Sequence, residues 1–233
     1  MSKKHDLRTQ RENTVINITS KKQEKVLDKS LMDIESFIKK DFPGVTLEHE
    51  SQIYLREIVE YLRRSYPEID FHYFFDSSSM RPDGGLLYLK SKSGERYPIL
   101  ISEKKNQGTN DLRELEGKKK QAKGNAIERL GKNVIGLKTA LKKESIFPFV
   151  CFGDGCDFSD DSSILDRVVT IAEFGHLNVI HLHNQGSNGE FCRGSFFFKV
   201  EEWSQEEMAS IGYEIAKGSI YYYFSKYGEK SFI

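Results

Sequence analysis

Three residues near the middle of the chain have the types and spacing for phosphoryl chemistry: Asp83, Glu103 and Lys105. Asp83 follows Pro82 in a Pro-Asp-Gly-Gly run. Glu103 and Lys105 close the run "YPILISEKK" at 97–105. Between them lie "LLYLK" at 86–90 and "SKSGE" at 91–95, two apolar runs around a Ser-Gly turn. That pattern predicts a β-hairpin. With the turn at Ser93-Gly94, facing residues have numbers that sum to about 187, so Asp83 falls opposite Lys104, beside Glu103. Facing residues of an antiparallel pair lie roughly 5 Å apart at Cα. Glu103 and Lys105 are two apart on one strand, so they share a face. Two carboxylates and a lysine therefore converge where the hairpin opens.

Carboxylates that close repel each other unless a cation sits between them. Hard oxygen donors suit Mg²⁺, which takes one or two carboxylates and leaves its other positions to water and phosphate. A lysine beside them can orient water or stabilise charge on a phosphate. Such a set can hydrolyse a phosphodiester bond. The plainer alternative is that Glu103 and Lys105 are strand-end surface charges and Asp83 belongs to a turn. The short pattern alone does not decide between the two.

The elements that must position these residues follow from apolar periodicity. Val26, Leu27, Leu31, Ile34, Phe37 and Ile38 predict a helix ending at Phe42-Pro43-Gly44. Residues 53–64 predict a second, 125–142 a third with Ile127, Leu130, Val134, Ile135 and Leu141 apolar, and 162–174 a fourth. A last helix at 204–217 precedes the aromatic stretch "SIYYYF" at 219–224. Strands are predicted at 71–75 ("FHYFF", read as core), 147–155, 178–183 and 194–200. Residues 1–22 are polar and read as an N-terminal arm, and 23–233 as one α/β domain with a mixed sheet.

The 233 residues carry 35 basic and 35 acidic side chains, for a net charge of zero. A protein that coats nucleic acid unselectively is usually basic, so contact with nucleic acid here requires a local patch. The three cysteines fit no zinc spacing and read as reduced thiols. The N-terminal stretch has no apolar core of the signal-peptide kind, and no apolar run approaches a membrane span. A cytoplasmic protein without membrane contact is expected.

The stretch "GNAIER" at 124–129 raises a second question, because Lys118, Lys119, Lys120 and Lys123 crowd the positive end of the helix it begins. Asn125 with Glu128 three residues later forms a capping box, which accounts for both without any ligand. Arg129 and the lysines stay unexplained by it. A DNA phosphate at the helix end is one resolution, a solvated loop another.

Taken in order, "RPDGGLLYLKSKSGERYPILISEKKNQG", "GKKKQAKGNAIER" and "FPFVCFGDG" resemble the EcoRI-type restriction endonucleases, a branch of the PD-(D/E)xK nuclease superfamily. The likeness runs from about residue 47 to 183, and "EEW" at 201–203 extends it. It implies a mixed five-stranded sheet with flanking helices, and a homodimer acting on palindromic double-stranded DNA. Asp83 and Glu103 would bind Mg²⁺, with the backbone carbonyl of Lys104 as third ligand, while Lys105 assists the attacking water. The products would carry 5′ overhangs, and a cognate methyltransferase would protect the host DNA. Asn125, Ala126 and Arg129 would read the inner pairs of an AATT core, through a bidentate bond to adenine, a thymine methyl contact and a purine acceptor.

Gln107, Lys118 and Arg167 occupy positions that match DNA-contacting positions of the family. Thr170 stands where a further arginine is expected, so the outer pair stays open between GAATTC-like, CAATTG and relaxed RAATTY sites. A repair nuclease of the same superfamily, or a catalytically dead DNA-binding module, is the rival reading. The dead module should lack an acid or the lysine, and the repair enzyme has no need of "GNAIER". His181 and His183 alternate in a predicted strand, with no third metal ligand apparent. Tyr221, Tyr222 and Tyr223 read as core and dimer surface.

Overall fold

The computed structural model describes residues 15–106, 117, 125–155, 158, 165, 168, 171, 177–184 and 193–233. A long helix, α1 (Val15–Asp41), comes first. Leu27, Leu31, Ile34 and Ile38 line its buried stripe, while Phe37 of the predicted set lies largely outside it. The helix begins at Val15, so residues 15–22 of the expected arm are helical. It stops where Pro43 has no N–H to offer and Gly44 takes φ +96°.

The central sheet has five strands. They are β1 (Thr46–Glu50), β4 (Leu86–Lys90), β5 (Arg96–Asn106), β6 (Phe149–Asp154) and β7 (Ser195–Lys199), and they lie in that spatial order. β1, β4 and β5 pair antiparallel, and β5, β6 and β7 pair parallel. The sheet is therefore mixed, as its sequence predicts. A two-stranded ribbon of β2 (Ile53–Tyr54) and β3 (Ser79–Met80) stands apart from it. Helix α2 (Leu55–Ser65) follows β2 directly.

Both faces of the sheet are covered. Leu87, Leu89, Leu100, Val150, Phe152 and Phe197 pack against α1 and the C-terminal helix α4 (Gln205–Tyr227). The alternate set of Leu86, Ile101, Phe149, Cys151, Phe196 and Phe198 packs with Ile127, Leu130, Val134 and Leu137 of α3 (Asn125–Ala140). That division is the period-2 alternation of strands buried on both sides. Ile135 projects away from the α3 core stripe.

The hairpin register reaches the predicted value by two compensating departures. Ser91 N–H donates to Glu95 O at 2.9 Å, so the loop holds three residues, Lys92 to Gly94, with Gly94 at φ +89°. Pairs near the turn, such as Lys90 with Arg96, sum to 186. A bulge then leaves Ile99 without a partner, and beyond it Leu87 pairs with Leu100 and Leu86 with Ile101, which sum to 187. The bulge thus sets which face Glu103 and Lys105 occupy.

Three sequence expectations are corrected. "FHYFF" is no strand: Phe74 and Phe75 are 84% and 71% exposed on an irregular loop. The short pairing falls instead to Ser79–Met80, and aromatic β-propensity without a sheet neighbour does not make a strand. Residues 178–183 also form no strand, apart from one bridge between Ile146 and His183. Asn178 sits at φ +60°, and its side-chain oxygen accepts from Phe198 N–H at 2.8 Å, which breaks a regular run. Lastly, α4 does not end at 217 but continues through the aromatic stretch to Tyr227. Successive tyrosines on a helix point in different directions. Tyr223 is buried with its hydroxyl donating to Pro98 O at 3.1 Å, and Tyr221 faces out. Most of the predicted helix at 162–174 lies outside the described residues, but Leu165, Val168 and Ile171 are helical.

Candidate active site

The Pro82-Asp83-Gly84-Gly85 turn carries Asp83 to the open end of the hairpin. Gly85 N–H closes it on Pro82 O at 3.0 Å. Both glycines are required by close approach. A Cβ on Gly84 would lie 2.1 Å from Ser102 Oγ, and one on Gly85, at φ +70°, would lie 2.4 Å from Glu50 O. The backbone is thereby pressed onto β5, and Gly84 N–H donates to Ser102 O at 2.9 Å.

Two backbone and two side-chain donors then tie the three predicted residues together. Asp83 N–H donates to Glu103 Oε2 at 3.1 Å, and Lys104 N–H donates to Asp83 Oδ2 at 3.2 Å. Lys105 Nζ donates to Asp83 Oδ2 at 2.9 Å and also to Glu103 Oε1. Asn133, on α3, approaches Glu103 Oε1 with Nδ2 at 3.4 Å. Glu103 is 1% exposed, whereas Asp83 is open to solvent. Burial raises the Glu103 carboxyl above the usual carboxylate range; Lys105 opposes that rise and Asp83 adds to it. Burial alone would lower the Lys105 ammonium, but the two carboxylates outweigh it and raise it, so this lysine stays charged.

These residues open into a cleft lined by Arg81, Asp83, Glu103, Lys105, Arg129, Lys132 and Asn133. Four of those side chains are cationic and two are carboxylates, so a chain of zero net charge presents a locally basic cleft. Arg129 is exposed there, one turn of α3 before Asn133. Asn125 and Ala126 begin α3, but their side chains lie outside the described residues. Gln107, Lys118 and Arg167 also lie outside them, as does most of the lysine-rich approach to α3.

Among the described residues no cluster of three or more His, Cys, Asp or Glu forms a metal cage, His181 and His183 included. The donor chemistry of Asp83 and Glu103 fits Mg²⁺, which needs one or two carboxylates and keeps water on its other positions, better than it fits a closed tetrahedral zinc site.

Arg81, Lys132 and Asn133 escaped the reading of the sequence. Spacing held a signal for one of them: Asn133 is four residues after Arg129, and so on the same helix face. Arg81 and Lys132 had no such mark.

A mixed sheet whose hairpin opens onto two carboxylates and a lysine is the arrangement of the PD-(D/E)xK nucleases. The family model of restriction endonuclease EcoRI matches residues 9–230, and the chain belongs to that family. The type II restriction enzyme RsrI of Cereibacter sphaeroides is 32% identical over 214 residues, covering 77% of this chain and 77% of that protein. The type II restriction enzyme EcoRI of Escherichia coli is 31% identical over 155 residues, covering 61% of this chain and 56% of that protein. The enzyme is thus a type II restriction endonuclease, a site-specific deoxyribonuclease acting on DNA. Among the described residues no helix is long and apolar enough to cross a membrane.

Proposed function

We propose that this enzyme cuts double-stranded DNA with Mg²⁺ at a palindrome centred on AATT, of the GAATTC or RAATTY kind, leaving 5′ overhangs. The observation that carries the reading is the hydrogen-bonded set of Asp83, Glu103 and Lys105 in a cleft that also holds Arg129 of α3. Asp83 and Glu103 hold the ion, with the Lys104 carbonyl as a third oxygen. When bound, Mg²⁺ supplies charge neutralisation at the phosphate and acidifies water. Lys105, kept as an ammonium by its two carboxylates, orients the attacking water and meets negative charge on the phosphate.

Reading is assigned to the start of α3. Asn125 bonds adenine in the major groove, Ala126 touches a thymine methyl, and Arg129 donates to purine acceptors. Gln107, Lys118 and Arg167 add contacts to DNA. A palindrome read by one helix start per chain calls for two chains, so the working enzyme is a homodimer. A methyltransferase of the same specificity accompanies it in the host. The chain from the start of α1 at Val15 to residue 233 makes up one catalytic domain.

One digestion tests this. Phage DNA incubated with the purified protein and Mg²⁺, followed by sequencing of fragment ends, is expected to give one end sequence starting in AATT. Smears without a common end would falsify the site-specific reading, and a common end without AATT would remove the proposed core.

A further inference from the structure

Lys104 stands between two residues of the cleft, yet its side chain lies on the other side of the sheet. Strand alternation sends it toward α1 and α4, where it is buried. A buried ammonium requires a counter-charge. Asp154, the last residue of β6, provides it: Nζ lies 2.6 Å from Oδ2, with the two side chains 5% and 1% exposed.

Asp154 is itself held. Its Oδ2 accepts from the backbone N–H of Trp203 at 3.3 Å, and the Trp203 indole donates to Gly153 O at 2.9 Å. Trp203 closes the "EEW" stretch just before α4, and Phe152 and Phe197 flank its ring. A carboxylate fixed by two elements thus grips a residue of the third.

The grip acts on the cleft through the backbone. Lys104 N–H, which lies in the sheet plane while the side chain stands on the buried face, is the donor to Asp83 Oδ2. In a strand the N–H and C=O of one residue point the same way in the sheet plane. The Lys104 carbonyl therefore faces the Asp83 side as well. A buried ion pair is weak evidence for stability, because well-packed apolar residues often do as well. What apolar residues do not reproduce is a fixed direction.

We propose that Asp154 is a positioning residue for DNA cleavage: through the Lys104 side chain it fixes the Lys104 peptide, which holds Asp83 beside Glu103 and presents a carbonyl to the same place. The proposal rests on the metal-dependent nuclease reading, and adds a residue that touches neither DNA nor metal.

Two variants test it. Lys104→Met with Asp154→Leu removes both charges and leaves neither unpaired. Asp154→Asn keeps the shape and removes the grip. The wild-type protein is first shown to cut DNA in Mg²⁺; failure there sinks the nuclease reading itself, separately from any result on the variants. The readouts are Mn²⁺ titration of the DNA-free protein by calorimetry, hydrogen exchange of the segment 101–106, thermal midpoint, and DNA binding in EDTA. The double variant is expected to keep its thermal midpoint and its DNA binding. Its Mn²⁺ affinity should fall about tenfold, the usual loss when an outer-shell partner of a metal site is removed. Exchange in 101–106 should quicken while the other strands keep their protection. Asp154→Asn should move both readouts the same way, and decides the matter if the double variant does not fold. A folded variant with wild-type Mn²⁺ affinity and wild-type exchange overturns the proposal, because the pair would then be packing alone.

Discussion

Asp83 and Glu103 brace one another through the backbone. The Asp83 N–H donates to Glu103 Oε2 at 3.1 Å, and the N–H that follows Glu103, that of Lys104, donates to Asp83 Oδ2 at 3.2 Å. Twenty residues of chain separate the pair. The Lys105 ammonium is bonded to both carboxylates and offsets their repulsion within the brace. A site prepared in this way should separate cutting from binding cleanly.

Glu103→Gln tests that separation. The amide keeps the shape and can still accept from Asp83 N–H, but it gives up the charge. Cleavage should fall by about 10³-fold or more, since the proposed charge stabilisation at the phosphate depends on an ion that Glu103 would hold. Specific DNA binding in EDTA should stay within a few-fold of wild type in a gel-shift titration. Persistent cutting would remove Glu103 from the site.

The same carboxyl gives a pH dependence of definite sign. Its value is raised by burial, so the folded, metal-free protein holds that proton to higher pH than the unfolded chain does. The stabilisation is complete below the unfolded value, about 4.3 for glutamate, and is lost as pH rises through the folded value. In EDTA, the thermal midpoint of wild type should therefore fall relative to Glu103→Gln as pH rises above that point. If Glu103 binds Mg²⁺ as proposed, the proton competes for the same oxygens, so the Mg²⁺ needed for half-maximal cutting should rise as pH falls, by up to about tenfold per unit. Parallel midpoint curves for the two proteins would show that Glu103 is not titrating.

Two glycines of the same hairpin should answer differently to alanine. Gly85 combines φ +70° with a Cβ position 2.4 Å from Glu50 O, so Gly85→Ala should cost about 1–3 kcal/mol and displace Asp83. Gly94 has φ +89° but open space around it, so Gly94→Ala should cost about 1 kcal/mol and leave cutting unchanged. Chemical denaturation and cleavage rates, measured together, separate the two effects. Equal loss of activity in both would mean that hairpin stability, not the placing of Asp83, governs the site.

Much of this could be read in the sequence because the signals are local. The helix period placed α3 to within two residues, and the Ser-Gly turn placed the hairpin. The register was legible only by cancellation: a three-residue loop and the bulge at Ile99 each shift it by one, in opposite senses. Neither is marked by residue type. "FHYFF" misled because aromatic content does not reveal whether a neighbouring strand exists. Three tyrosines in a row have no helical period, so the aromatic end of α4 is not legible from spacing: Tyr223 is buried, Tyr222 packs half-buried against the same core, and Tyr221 faces out. The Lys104–Asp154 pair joins residues 50 apart on neighbouring parallel strands, and nothing short of the β5–β6 register brings them together.

The start of α3 carries the last prediction, because Asn125 has two explanations. As a helix cap it is replaceable: serine caps as well as asparagine, while loss of a cap costs about 1 kcal/mol of stability. As a reader it is not replaceable, since a serine hydroxyl cannot span adenine N6 and N7 as an amide does. Asn125→Ser should therefore keep the thermal midpoint of wild type and lose about 1–3 kcal/mol of discrimination between the cognate site and a site changed at one inner A·T pair. Arg129→Gln, four residues on and exposed in the cleft, should lose discrimination too and also lower the salt dependence of binding. Competition binding at several salt concentrations measures both. Unchanged cut sites and rates in Asn125→Ser would make Asn125 a cap and nothing more, and would move the reading of the inner pairs to other residues.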